Sequence, residues 1–421
     1  MMHKNIAIAV AATLLLGPLA ACSSSGSSGD GNGSGGGSGR GGSVTIGEST
    51  SLSGSIANLG QTGLQGLQLA AADMNASGGL LGKKIKVVSA DDNAQPATGA
   101  SEARSMITKN HAVALFGPVS SAVAAAQEQV AAQYKVPIFF HTSNDVGLMT
   151  KTFTPYAFQD VPNTMMEPRA VADYLAKKVG NKQITIATFA PDYSFGHDTV
   201  DGFLQALKTL HVNYKLVKQE FPPLGASNIS SYLSALVSAH PQYVFNAQYG
   251  GDLVAFTKQA AQFGFFKDTT VIAMYAYAPL AALGSSAPAG AIGFDRAPFW
   301  EIKTPEMTKF VSEFKAKYGK YPTEWAILAY SAAQEWAYAV KKAGSFDSAK
   351  VIKELPGASV PTIIGSMTVR ACDHQSEVPE YVGTISGTAD PKFGIHLYND
   401  GFTAPFKDIS LTCSEVKALQ K

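Results

Sequence analysis

Val44-Thr45-Ile46-Gly47, the stretch from Gly63 to Asn75 that puts Leu64, Leu67, Ala71 and Met74 on one helical face, and Ile85-Lys86-Val87-Val88-Ser89 decide the fold of this 421-residue chain. A β-type run, a segment of period 3.6 and a second β-type run make a βαβ unit. The alternation continues through helix Ala97 to Asn110, strand Ala112 to Phe116, helix Ala122 to Tyr134 and strand Ile138 to His141. A parallel sheet with right-handed crossovers follows. Gly78-Gly79 supplies the positive φ that ends the first helix, and Gly82 turns the chain into the next strand.

A second series begins near Thr164. It runs through helix Glu167 to Val179, strand Gln183 to Thr188, helix Thr199 to Leu210, strand Lys215 to Glu220, helix Ser230 to Ala239, strand Tyr243 to Asn246, helix Leu253 to Phe263 and strand Thr270 to Met274. Two doubly wound, Rossmann-like α/β lobes joined by a hinge are therefore expected, with a ligand cleft at the carboxyl ends of their strands. Two long helices, Pro305 to Tyr318 and Trp325 to Ala343, and later β-type segments most simply complete the two sheets. The expected division gives residues 44–163 and 293–370 to lobe 1, and 164–292 and 371–421 to lobe 2.

Upstream, Lys4 supplies a positive n-region and Ile6 to Leu16 an apolar h-region too short to span a bilayer, so residues 1–21 read as a secretory signal. Leu19-Ala20-Ala21-Cys22 resembles the lipobox of bacterial lipoproteins, which implies cleavage before Cys22 and a lipid on its sulfur. The alternative is an ordinary signal peptide with an incidental cysteine. Residues 22–43 are then a Gly/Ser tether, holding the domain roughly 25 Å from the membrane on average. The expected location is outside the cytoplasmic membrane, anchored to its outer face or in the periplasm.

Composition narrows the function. The chain is 46% hydrophobic and 15% charged, with 33 basic against 32 acidic residues. No Lys/Arg run is long enough to track a phosphate backbone, so nucleic acid is not an expected partner. Gly82-Lys83 is no P-loop, because Ser77 stands where the first Gly belongs and Lys84 where Ser or Thr belongs. No G-x-S-x-G elbow or H-E-x-x-H helix occurs, and no two of the 8 His residues have i, i+4 spacing. No catalytic residues, metal or cofactor are expected, with an exported hydrolase the competing class and a ligand-sensing module the other. Cys372 and Cys413, in an exported setting, are expected to form a disulfide, the alternative being two buried thiols.

Three segments carry a family resemblance. Gly60 through Ile85 with Asp91-Asp92-Asn93-Ala94-Gln95-Pro96 resembles the N-terminus of type I periplasmic binding proteins of the Leu/Ile/Val family. Pro191-Asp192-Tyr193-Ser194-Phe195-Gly196 is similar to the loop opening that family's second lobe, and Asp373-His374-Gln375 with Pro379-Glu380-Tyr381-Val382-Gly383 to its C-terminal segment. The resemblance implies a small-molecule guest, an ABC permease as partner and a type I binding-protein fold.

The resemblance also implies site residues. Gly117-Pro118-Val119-Ser120-Ser121 and Phe140-His141-Thr142-Ser143-Asn144 match loops that hold a ligand carboxylate, making Ser121 and Thr142 candidate anion contacts and Asn144 a further donor. Ser121 also sits where a helix begins, so it reads equally as a plain N-cap. The positions matching the ammonium-binding carboxylates of amino-acid binders fall near Thr164 and Tyr275, neither acidic, and nearby Asp160 or Glu167 lacks the expected spacing. Phe195, Tyr249 and Trp325 match side-chain pocket positions, with Tyr275 and Tyr277 at the rim. Such rings suit a carboxylate with a flat apolar or aromatic body, or, as a cage, a cation. His141 beside the anion loop reads as either a reporter of protonation or a structural hydrogen bonder.

Overall fold

Strands β1 (Ser43–Thr50), β2 (Lys84–Asp91), β3 (Ala112–Phe116), β4 (Ile138–Phe140) and β5 (Ala157–Gln159) form one sheet in the order β2-β1-β3-β4-β5, all parallel. This is a computed structural model, and it describes residues 41–398 and 400–420. The signal, Cys22 and nearly all of the tether lie outside the described residues. The crossovers of the first sheet are α1 (Ala57–Ala76), α2 (Pro96–Thr108) and α3 (Ser121–Tyr134). Register places Phe116 beside Phe139 and Phe139 beside Phe158 on neighbouring strands, and the rings stack at 5.3 and 5.1 Å. Aromatic stacking on a common face thus fixes the register of three short strands that make few backbone bonds.

The second series continues with α4 (Met166–Val179), β6 (Ile184–Phe189), α5 (Ser194–Thr209), β7 (Tyr214–Glu220), α6 (Ser230–Ala239), β8 (Tyr243–Asn246), α7 (Gly250–Gln262), β9 (Thr270–Ala273), α8 (Tyr277–Leu283) and β10 (Ile292–Asp295). Next come α9 (Pro305–Tyr318), α10 (Glu324–Ala343), the hairpin β11 (Ser359–Thr362) and β12 (Gly365–Thr368), then β13 (Glu380–Thr384) and β14 (Phe402–Ala404). The second sheet has the order β14-β13-β10-β9-β8-β6-β7, parallel except that β13 runs antiparallel to both β10 and β14. The late strands do not complete both sheets: β10, β13 and β14 all join the second, and β11 and β12 pair only with each other.

What returns to the first lobe is helical. α10 lies on α1 so closely that a Cβ on Gly66 would meet the Ala326 carbonyl oxygen at 2.1 Å. The lobe boundary expected between residues 292 and 293 cuts through β10, whose four residues all belong to the second sheet. The chain changes lobe three times, after β5, after β10 and before β13. Gln375 ties two of these crossings together, donating from its amide to the carbonyls of Gln159 and Val161 at 3.0 and 2.9 Å.

Cys372 and Cys413 are joined, their Cα atoms 5.8 Å apart. Among the described residues no helix is long and apolar enough to cross a membrane.

Candidate functional site

The carboxyl ends of both sheets face a shared cleft. The first lobe contributes Val119 and Ser121 at the start of α3, Thr142 and Asn144 beyond β4, Leu59 of α1 and Trp325 of α10. From the second lobe come Tyr193, Phe195, Tyr249 and Arg296. The walls meet closely, leaving about 10 Å³ between them, and are bridged by Arg296, which reaches from the second lobe to the Thr142 carbonyl of the first.

Six of the eight expected ligand residues, Ser121, Thr142, Asn144, Phe195, Tyr249 and Trp325, line this cleft. The other two do not. Thr164 is fully buried and accepts a bond from the Val146 backbone N–H at 3.0 Å, which pins the start of the second lobe onto the loop after β4. Tyr275 is fully buried too, its hydroxyl 3.0 Å from Thr257 Oγ1 on α7, so it fills the core beneath that helix. Tyr277, expected at the rim, packs with Phe299 and Tyr321 away from the cleft-lining set. Ser121 is no cap: Ser120 occupies the N-cap position without a side-chain bond, and Ser121 is the first helical residue. Asn144 spends its amide donors inside the protein, on the Pro162 carbonyl at 3.0 Å and Glu167 Oε2 at 2.9 Å, leaving its oxygen as the group with spare capacity.

Two helices of the second lobe begin earlier than their hydrophobic periodicity implies. α5 starts at Ser194 and α7 at Gly250, with Tyr193 and Tyr249 as extended N-cap residues. Their hydroxyls meet at 2.7 Å, and Phe195 packs edge-on against Tyr249 with centroids 5.4 Å apart. Burial raises the pKa of both phenols, Tyr193 strongly, so they remain neutral. The three rings make one aromatic wall, faced across the cleft by Trp325.

Arg296, immediately after β10, is the one charged side chain among the described residues lining the cleft. It is 3% exposed, its guanidinium lies 4.8 Å over the Trp325 ring, and Nη1 donates to the Thr142 carbonyl at 2.8 Å. Its Nε pairs with Glu167. These bonds use Nε and one Nη1 hydrogen, leaving donors on Nη1 and Nη2 for a guest. Asp295, Glu324 and Glu380 are buried around the same cation, and Asp295 Oδ2 and both oxygens of Glu324 and Glu380 have no hydrogen-bond partner. Burial pushes Asp295 up to about 7 and the two glutamates well above the usual carboxylate range. The two glutamates are therefore held largely neutral, Asp295 is neutral only below about 7, and Glu167, whose burial penalty the guanidinium opposes, is the carboxyl paired with Arg296.

Glu167 is thus committed to Arg296 and to Asn144, and it does not stand in for the missing ammonium partner. Asp160, the other candidate, is buried and does not line the cleft; its Oδ1 lies 3.0 Å from the Ser376 hydroxyl, which is also 2.9 Å from Glu335. Arg296 and Tyr193 were not singled out as ligand contacts from sequence. A charged residue at the carboxyl end of the β-type run Ile292-Gly293-Phe294-Asp295 is the signal that marks Arg296, and Tyr193 stands inside the loop that carried the family resemblance.

Two doubly wound lobes that meet over a common site at the ends of their strands are the architecture of type I periplasmic binding proteins, and that is the class this fold defines. The chain belongs to the periplasmic binding protein family, whose profile matches residues 43–390. Leu/Ile/Val-binding protein homolog 7 of Brucella abortus (strain 2308) is 29% identical over 336 residues, 75% of this chain and 82% of the relative. A periplasmic binding protein of Burkholderia mallei superposes with a TM-score of 0.81 at 27% identity, covering 90% of this chain and 99% of its own. A solute-binding protein from a Rhodopseudomonas palustris ABC transporter, solved in complex with benzoate, superposes with a TM-score of 0.75 at 22% identity, covering 86% of this chain and 97% of its own.

Proposed function

We propose that this protein is the substrate-binding lipoprotein of an ABC importer and captures a small carboxylate with a flat apolar or aromatic body. The observation that carries the reading is Arg296: a guanidinium with spare donors lines a cleft whose other described walls are uncharged. A guest's carboxylate pairs with such a fork, whereas an α-ammonium set against it meets a like charge and no free carboxylate. Ser121 and Thr142 supply hydroxyls beside it, while Phe195, Tyr249 and Trp325 enclose the apolar body. The benzoate held by a protein of the same fold belongs to this chemical class. Because the contacts come from both lobes, the guest biases the protein toward closure, and the closed surface is what an ABC permease reads.

In this reading the chain needs no cofactor and performs no catalysis. Cys22 carries the lipid that keeps it on the outer face of the cytoplasmic membrane or in the periplasm, and Cys22→Ser releases it from the membrane fraction. Calorimetric titration of the full chain in detergent, with benzoate, 3,4-dihydroxybenzoate, benzamide, leucine and isoleucine, tests the ligand class. Binding of the aromatic acids, with none of the neutral amide, is the expected result. Leucine or isoleucine binding more tightly than either acid overturns it.

A further inference from the structure

A second cavity, of about 720 Å³, lies on the crossing that follows β10, and among the described residues it shares no lining residue with the cleft. It is lined by Phe299 to Lys303 of that crossing, by α9 and by the segment from Ser386 to Tyr398. The first lobe holds α9: Tyr318 donates to the Gln65 carbonyl of α1 at 3.0 Å, and Phe310 packs against Tyr330 of α10 with centroids 4.9 Å apart. The segment from Ser386 to Tyr398 instead continues β13 of the second lobe, through the bridge between Ile385 and Tyr398. A molecule in this cavity would therefore touch both lobes and the chain that joins them.

The lining is aromatic and basic. Phe299 stacks on Tyr321 with centroids 5.7 Å apart, and Phe393 packs edge-on against both rings at 5.4 and 5.1 Å. Trp300, only 7% exposed, keeps a buried Nε1–H with no hydrogen-bond partner among the described residues, a donor left unmet in the wall. Three ammonium groups sit against these same residues. Lys315 Nζ is 4.1 Å from the Tyr321 ring centre, Lys392 Nζ is 5.0 Å from that of Phe393, and Lys303 donates to the Trp300 carbonyl. Two carboxyls oppose them. Asp390 accepts at Oδ1 from the backbone N–H groups of Lys392 and Phe393 at 2.8 and 3.0 Å, and partial burial pushes the pKa of Glu301 up. The cations therefore outnumber the carboxylates, while the rings supply flat apolar surface.

We propose that this cavity is a second ligand site, for a multi-ring aromatic anion carrying more than one negative charge. The rings pack on the aromatic body, and ammonium groups set around them pair with separate anionic groups. The volume lies within the range of small-molecule sites and is far larger than one ring fills. The cleft differs on both counts, having one cation and walls that nearly meet. The second site stands whether or not the cleft takes a carboxylate.

The probe is naphthalene-1,5-disulfonate, titrated calorimetrically into the full chain in uncharged detergent. One saturable site is expected, with the uncharged 1,5-dihydroxynaphthalene binding at least about tenfold more weakly. Lys315→Gln combined with Lys392→Gln, both at exposed positions, should weaken the disulfonate by about tenfold or more. Val311→Trp, which sets an indole from α9 into the cavity, should abolish binding. Location is read independently from the indole ¹⁵N–H signals of the 3 tryptophans, since Trp300 lines this cavity, Trp325 lines the cleft and Trp336 lies in the core. The disulfonate should move the Trp300 signal, assigned through Trp300→Phe, and leave the Trp325 signal in place. No saturable site, a shift at Trp325 without one at Trp300, or wild-type affinity in the double lysine variant overturns the proposal. Equal affinity for the uncharged naphthalene overturns it as well.

Discussion

Arg296 Nη1 donates to the main-chain carbonyl of Thr142 at 2.8 Å, so a cation anchored at the end of a strand in one lobe grips the backbone of the other. The same guanidinium pairs with Glu167, which accepts from Asn144, again across the lobes. A guest carboxylate bound at the spare guanidinium donors is then bound to the group that joins the lobes. In the proposed reading capture and closure then share one residue, which adds to the contacts that both lobes make with the guest.

Arg296→Gln is accordingly expected to do two separable things. Leaving Glu167 buried without its cation should cost about 3–5 kcal/mol of stability. Removing the guanidinium should abolish carboxylate binding. The double variant Arg296→Gln with Glu167→Gln should recover most of the stability and none of the binding, read by urea unfolding alongside calorimetric titration. Recovery of binding in the double variant would mean that the cation serves only the hinge.

Tyr249 lies within the hydrophobic core of the second lobe as well as on the cleft, so its truncation is not a clean probe of affinity. Tyr249→Ala should lose about 3–5 kcal/mol of folding stability together with guest affinity. Tyr249→Phe keeps the ring against Phe195 and removes only the 2.7 Å bond to Tyr193, so it should cost about 1 kcal/mol and leave most of the affinity. An affinity loss as large in Tyr249→Phe as in Tyr249→Ala would assign the phenol, and not the ring, to the guest.

The two-lobed fold was legible because βαβ alternation depends on local periodicity, and β1 to β4 and β6 to β9 fall within a few residues of the runs that announce them, while the three-residue β5 was too short to show. The starts of α5 and α7 were not legible, although α4 and α6 begin where the periodicity puts them. Tyr193 and Tyr249 have no capping oxygen near their backbone, so nothing local marks α5 and α7 as beginning beside them. Thr164 and Tyr275 were placed by family position, which fixes the backbone but not what a side chain meets there. Arg296 follows a strand of four residues, paired with β9 on one side and on the other with β13, nearly ninety residues further on. Its partner Glu167 is 129 residues away, a juxtaposition that no spacing rule reaches.

The bond between Cys372 and Cys413 closes a loop of 41 residues and fastens the last helix, Cys413–Leu419, to the turn before β13. Replacing both cysteines with serine should lower unfolding free energy by about 2–4 kcal/mol. The segment is held by other contacts too, with Arg370 paired to Asp373 and donating to the Leu411 carbonyl. The variant should therefore stay folded at ambient temperature with guest affinity unchanged, since neither cysteine lines the cleft. An affinity loss beyond a few-fold, measured by titration, would tie the C-terminal helix to closure.

Stability itself should depend on pH through Glu128 of α3. Its side chain is buried, one oxygen accepts from Thr152 Oγ1 at 2.7 Å and the other has no partner, and burial pushes its pKa up from 4.5 to about 8. A carboxyl raised on folding binds its proton more tightly in the native state. Its contribution is whole below the unfolded value near 4.5 and is lost as pH rises toward 8, at up to about 1.4 kcal/mol for each pH unit. Asp295, raised to about 7, acts in the same direction from 3.8 upward. The melting temperature should thus fall steadily between about pH 5 and pH 8, opposite to the acid denaturation expected of paired carboxylates. Glu128→Gln cannot ionise and should flatten the curve in that window, becoming more stable than wild type at its alkaline end. A melting profile identical in slope to the wild type would show that Glu128 is solvated when charged and carries no linkage.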